Sequence, residues 1–111
     1  MIPSRSEINR LHAQLCSALS DPIRITILYA LDEQPHNVSQ LTETLQAPQS
    51  TISRHLGILR SAGLVRSERN GRQVQYDLAD HRVIEALDTL RAIMQDRMNR
   101  HADLIGPSDS E

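Results

Sequence analysis

Gln49, Ser50, Thr51, Ser53 and Arg54 crowd one short stretch, APQSTISRHLGILRSAG, residues 47–63. Their side chains suit the reading of a polar, anionic surface. A glutamine amide matches the N6/N7 edge of adenine, and an arginine fork matches guanine or phosphate. Serine and threonine hydroxyls suit phosphate oxygens near a helix N-terminus. The same stretch carries Ile52, Leu56 and Leu59 at i, i+4 and i+7, an apolar stripe at helical spacing. Wound as a helix, residues 48–62 turn that stripe inward. Gln49, Ser50, Ser53, Arg54 and Gly57 then face outward, with Thr51 at the edge. Short side chains let such a face approach a DNA major groove, and Gly57 adds clearance. His55 is expected beneath the helix, with its ring hydrogen-bonded.

A second polar cluster follows in RNGRQ, where Arg69, Asn70, Arg72 and Gln73 surround Gly71. Asn-Gly between two alternating segments signals a β-hairpin whose two turn residues both take positive φ. The segments are residues 64–69 and 72–78. Arg69 and Arg72 at the tip would lie on phosphates or in a minor groove, where arginine is favoured. Arg66 falls on the strand.

Charge supports an anionic partner for this region. Residues 46–76 carry five arginines and one acid, Glu68, although the whole chain has a net charge of -2. A basic segment in a nearly neutral molecule is a local electrostatic footprint. Lysine is absent, and all 12 basic residues are arginine.

Other chemistry is thin. No Ser/His/Asp or Cys/His grouping, phosphate-binding glycine loop or carboxylate pair marks a catalytic site, so neither an enzyme nor a cofactor is expected. Cys16 is the single cysteine, which excludes an intramolecular disulfide and points to a reducing, cytoplasmic setting. No signal peptide or membrane span is evident. Cys16 between Leu15 and Leu19 reads as a small buried apolar residue. His12 and Cys16 share a helix face, and His101 from a partner's last helix could complete a metal- or thiol-responsive set. His36 reads as a loop residue without a role.

The elements that position these groups follow from caps and periodicity. Ser4 or Ser6 caps a first helix to about Ser20, with Ile8, Leu11, Leu15, Ala18 and Leu19 as its stripe. In SDPIRITILYAL, the alternation of Ile23, Ile25 and Ile27 says strand. Asp21-Pro22 and the spacing of Ile23, Ile27 and Leu31 say helix. Asn37 with Gln40 resembles a capping box for a short helix from about Val38 to Leu45. Pro48 suits the first position of the next helix, and Gly63 suits its left-handed cap. Asp80 caps a last helix to about Asp103, striped by Val83, Leu87, Leu90, Met94 and Met98. At about 1.5 Å per residue it is longer than so small a domain can cover. With the first helix it leaves apolar surface for a second copy, and Leu11, Leu15, Leu87, Met94 and Met98 are the expected dimer contacts. The fold class is mainly α with a β-hairpin wing, a winged helix-turn-helix of order α-α-α-α-β-β-α. Residues 1–105 form one DNA-binding domain, and 106–111 an acidic disordered tail.

The runs LCSALSDPIRITILYAL, NVSQLTETLQAPQSTISRHLGILRSAGLV and RNGRQVQYDLADH together resemble the ArsR/SmtB family of bacterial winged-helix repressors, over about residues 11 to 81. The resemblance implies a helix at residues 22–32. It also implies a homodimer through the first and last helices, and binding of double-stranded DNA at an inverted-repeat operator. Many members release DNA on binding metal. At the places matching one family metal site stand Asp80, Arg82, Ile93 and Asp96, with His81 one residue out of phase. At the other stand Asn37, Ser39, Gln40 and Thr42, with no thiolate. Arginine and isoleucine cannot ligate zinc. The sequence therefore implies a DNA-binding repressor without either familiar metal site and with no named inducer.

Overall fold

A computed structural model describes residues 1–105, so the expected tail at 106–111 lies outside the described residues. The chain divides into two compact units, Met1–His81 and the segment from Arg82 onward.

The first unit opens with helix α1 (Arg5–Arg10), capped by Ser4, whose Oγ accepts from the Glu7 amide at 3.1 Å. The single α-helix expected to reach Ser20 does not persist. From Leu11 to Cys16 the chain is π-helical, and the Ser17 amide reaches back five residues to the His12 carbonyl at 2.9 Å. Bonding one residue further back shifts every later side chain relative to an α-helical wheel. Ile8, Leu11 and Cys16 are exposed, and only Ala18 of the expected stripe is fully buried. The burial expected for Cys16 is thus corrected within the single chain.

Helix α2 (Pro22–Glu33) settles the strand-or-helix ambiguity. Asp21 Oδ1 accepts from the Ile23 amide at 2.8 Å, and Pro22 enters the first turn with φ already helical. The buried face is Arg24, Ile27, Leu28 and Leu31, rotated from the expected Ile23, Ile27 and Leu31. Helix α3 (Val38–Leu45) carries the predicted capping box: Asn37 Oδ1 accepts from the Gln40 amide, and Gln40 Oε1 from the Asn37 amide, each at 2.8 Å. Gln46 ends α3 at φ 55°, the one non-glycine in the left-handed region among the described residues. Its side chain donates to the Glu43 carbonyl at 2.7 Å, which helps hold the turn.

Helix α4 (Gln49–Ser61) starts one residue later than expected, so Pro48 is its N-cap and not its first residue. It ends as predicted at Gly63, φ 79°. The Leu64 amide bonds the Leu59 carbonyl and the Gly63 amide the Arg60 carbonyl, both at 3.0 Å, and Leu59 and Leu64 are buried. This is a Schellman cap with its apolar contact.

Strands β1 (Val65–Asn70) and β2 (Gln73–Leu78) pair antiparallel with Asn70 opposite Gln73. The two-residue loop is therefore Gly71-Arg72, not Asn70-Gly71. Positive φ falls on Gly71 alone, at 68°, as a type II′ turn requires. The expected pair of positive φ values at Asn70 and Gly71 is corrected, because pairing extends one residue further on β1.

His36 is not an idle loop residue. It bridges β2: its amide donates to the Tyr76 carbonyl at 3.1 Å, and the Tyr76 amide donates to its carbonyl at 2.8 Å. Its ring is buried, with Nδ1 2.7 Å from the Gln34 carbonyl. The hairpin thus has a one-residue third strand at its base.

Ile27, Leu28, Leu31, Leu41, Ile52, Leu56, Leu59 and Leu78 are the largest fully buried side chains. Each aliphatic side chain buried from water contributes about 1.5–3 kcal/mol, and these eight come from α2, α3, α4 and β2. The second unit is helix α5 (Arg82–Ile105), 24 residues long. Leu90, Ile93, Met94 and Met98 lie exposed along it, Leu90, Met94 and Met98 at four-residue steps. No helix among the described residues is long and apolar enough to cross a membrane.

Candidate nucleic-acid interface

The outward face of α4 is built by what its inward face buries. Ile52, His55, Leu56 and Leu59 sink into the first unit, so Gln49, Ser50, Ser53 and Arg54 are exposed and Thr51 is half-buried. Pro48, the N-cap, makes no side-chain cap hydrogen bond to the first amides of α4. Uncapped amides and the positive helix end favour an anion there. Gly57 is exposed on the same outward side, as the sequence reading expected. With Arg54, Ile58, Ser61 and Ala62 it lines one bank of a shallow groove of about 580 Å³. The other bank is Ala13, Gln14, Ser17 and Ala18, at and just after the π-helical segment. The first two turns of α4 are thus the open part of the face, and the later turns lie beside the N-terminal arm.

The hairpin presents Arg69, Asn70, Arg72 and Gln73, all exposed, at its tip. Gly71 at the first turn position lets the chain reverse there, which sets Arg72 at the apex. Arg66 is differently engaged: it faces Asp77 across the ladder, with its guanidinium 3.6 Å from the carboxylate. Among the described residues no acid pairs with Arg54, Arg69 or Arg72. Asn37 Nδ2 donates to Gln73 Oε1 at 3.2 Å, which joins the cap of α3 to the turn end of β2. One sequence-predicted tip residue therefore has a structural partner.

Beneath α4, His55 is 2% exposed, as the sequence reading expected. Its partner was not foreseen. Arg24 of α2 is 8% exposed and places Nη1 3.0 Å from His55 Nδ1. The only signal in the sequence was that Arg24 lies three and four residues before Ile27 and Leu28, on the face that turned out to be buried. Burial pushes the His55 pKa down; Asp21 opposes this, and Arg54 and Arg24 reinforce it.

The remaining expected sites are less assembled. Among the described residues, His, Cys, Asp and Glu side chains form no group of three that could hold a metal ion. His12, Cys16 and His101 are each exposed. Of the expected dimer contacts, Leu11, Met94 and Met98 are exposed and Leu15 is half-buried, whereas Leu87 is already buried within the single chain, which corrects its expected role toward a second copy.

Two helices across a three-residue turn, followed by an arginine-tipped hairpin, define a winged helix-turn-helix. Comparison with known proteins carries this further. The family model "Bacterial regulatory protein, arsR family" matches residues 21–67. The HTH-type transcriptional repressor SmtB of Mycobacterium tuberculosis (strain CDC 1551 / Oshkosh) is 44% identical over 79 residues, 71% of this chain and 58% of that protein. The biofilm growth-associated repressor of Xylella fastidiosa (strain Temecula1 / ATCC 700964) is 32% identical over 81 residues, 73% of this chain and 71% of that protein. The crystal structure of M. tuberculosis Rv0081 superposes with a TM-score of 0.77 at 29% identity, covering 86% of this chain and 96% of that one. The chain belongs to the arsR family of bacterial regulatory proteins. It spans little more than half the length of the SmtB relative it matches.

Proposed function

We propose that this chain is a homodimeric, sequence-specific DNA-binding repressor, with residues 1–105 as its DNA-binding domain. One observation carries the reading: the open N-terminal turns of α4 and the hairpin tip both present arginines without acidic partners, on one unit. Gln49, Ser50, Thr51, Ser53 and Arg54 enter the major groove, and Arg69, Asn70 and Arg72 follow the phosphates. Gln73 reaches the duplex less directly, since it also accepts from Asn37. Leu11, Leu15, Met94 and Met98 join two copies, whose paired α4 helices meet an inverted repeat of double-stranded DNA. The names of the relatives, transcriptional repressors, support this over an enzymatic role.

Fluorescence anisotropy on a duplex that the protein selects from a random pool tests the reading. Arg54→Ala lowers affinity and relaxes preference at one base position, by about 1–3 kcal/mol if the contact is bidentate. Arg72→Ala weakens all duplexes alike and lowers the salt slope by about one. Unchanged binding in both variants excludes this surface.

A further inference from the structure

A buried arginine ties the reading helix to the N-terminal arm. Arg24 Nε donates to the Ala18 carbonyl at 2.7 Å, and Nη2 to the Ser17 carbonyl at 3.4 Å. Its third arm, Nη1, stands 3.0 Å from His55 Nδ1. One planar fork thus spans the start of α2, the carbonyls that end the arm and the middle of α4. We propose that Arg24 is a positioning residue for DNA recognition, setting the orientation of the reading helix on the arm through His55. The inference rests on the DNA-binding reading above.

The chemistry of the contact fixes the state of the ring. A guanidinium has donors only and stays charged. His55 Nδ1 must therefore be the acceptor, so the ring is neutral with its proton on Nε2. That nitrogen lies 4.0 Å from Asp21 Oδ1. A proton added at Nδ1 would set N–H against N–H and break the bridge. The charged groups around the ring are Asp21 at the head of α2, Arg24 on α2 and Arg54 on α4. Burial and the two arginines outweigh Asp21, so the folded chain holds His55 below its ordinary pKa. The sign follows: the bridge is complete above the ordinary histidine pKa and is lost as pH falls through the lowered folded value.

Arg24 also has a position that packing alone does not require. A buried ion and its partners are often no more stabilising than well-packed apolar groups. What the fork adds is direction, because three fixed donors meet two adjacent carbonyls on the arm and a ring nitrogen on α4. Arg54, next to His55 in the chain, faces outward. A small rotation of α4 that released His55 would swing Gln49–Arg54 with it. The arm carries Leu11, assigned above to the partner copy, so the bridge links each reading helix to the element that spaces the two.

The test uses the duplex selected by the wild-type chain, with companions carrying one base pair more or fewer between half-sites. Arg24→Lys, which keeps the charge and loses the fork, is expected to weaken binding about tenfold or more and to flatten the preference among the three spacings. His55→Asn keeps an acceptor at the δ position, so it retains binding at about pH 8 and loses the fall in affinity expected of the wild type as pH drops below the ordinary histidine range. Imidazole ¹⁵N shifts of the wild type are expected to place the proton on Nε2 at neutral pH. Wild-type spacing preference in Arg24→Lys, or a proton on Nδ1, overturns the inference while leaving DNA binding intact. If Arg24→Lys does not fold, the pH profiles of wild type and His55→Asn decide, and identical profiles overturn it. A wild-type chain that selects no duplex overturns the DNA reading and this inference together.

Discussion

Gly57 shows how a single residue can carry two opposed sequence arguments. Its small size suits close approach to DNA, yet glycine within a helix costs stability. The structure places it along the groove beside the arm, and a Cβ built there meets no atom within 4 Å. Gly57→Ala is therefore expected to raise stability by about 0.5–1 kcal/mol, read by chemical denaturation, with duplex affinity unchanged. His55 and Arg24 make the complementary point. A histidine at i+3 from Ile52 and i−4 from Leu59 falls within the apolar stripe, so its burial is legible. Arg24 sits among isoleucines in IRITIL, where the eye assigns the apolar residues to the core and the charged one to solvent. Its burial becomes visible only when the carbonyls of Ser17 and Ala18 are in place to receive it.

At the scale of the element, caps were the most legible features. The Asn37–Gln40 box, the Asp21-Pro22 start and the Gly63 stop each depend on a few adjacent residues, so local chemistry decides them. The hairpin turn was misplaced by one residue because the number of paired residues depends on the whole ladder, to which His36 adds a bridge from a distant loop. The arm was misread for a similar reason: nothing in LHAQLC distinguishes i→i+4 from i→i+5 bonding. Asn37 joins two elements, capping α3 and holding Gln73. Asn37→Ala is expected to cost about 1 kcal/mol of stability. It should also speed amide hydrogen exchange in β2 near Gln73, an effect that a pure helix cap would not have. Mass-spectrometric exchange on the two proteins reads the difference.

At the scale of the molecule, the exposed apolar side chains are concentrated at the two ends of the chain. Ile8 and Leu11 stand on the arm, and Leu90, Ile93, Met94 and Met98 on α5. Under the proposed assembly each of these two patches is covered by a second copy. Sedimentation is expected to give a dimer for the wild type and a monomer for the Met94→Glu, Met98→Glu double variant. Duplex affinity should fall with dimerisation, because each monomer engages one half-site only. The apolar face of α5 has a consequence for dosage. If subunits separate when dilute, promoter occupancy falls with the square of the amount of chain, not in proportion to it. The cell's own supply of the protein would then act as a steep throttle, without any small molecule to turn it.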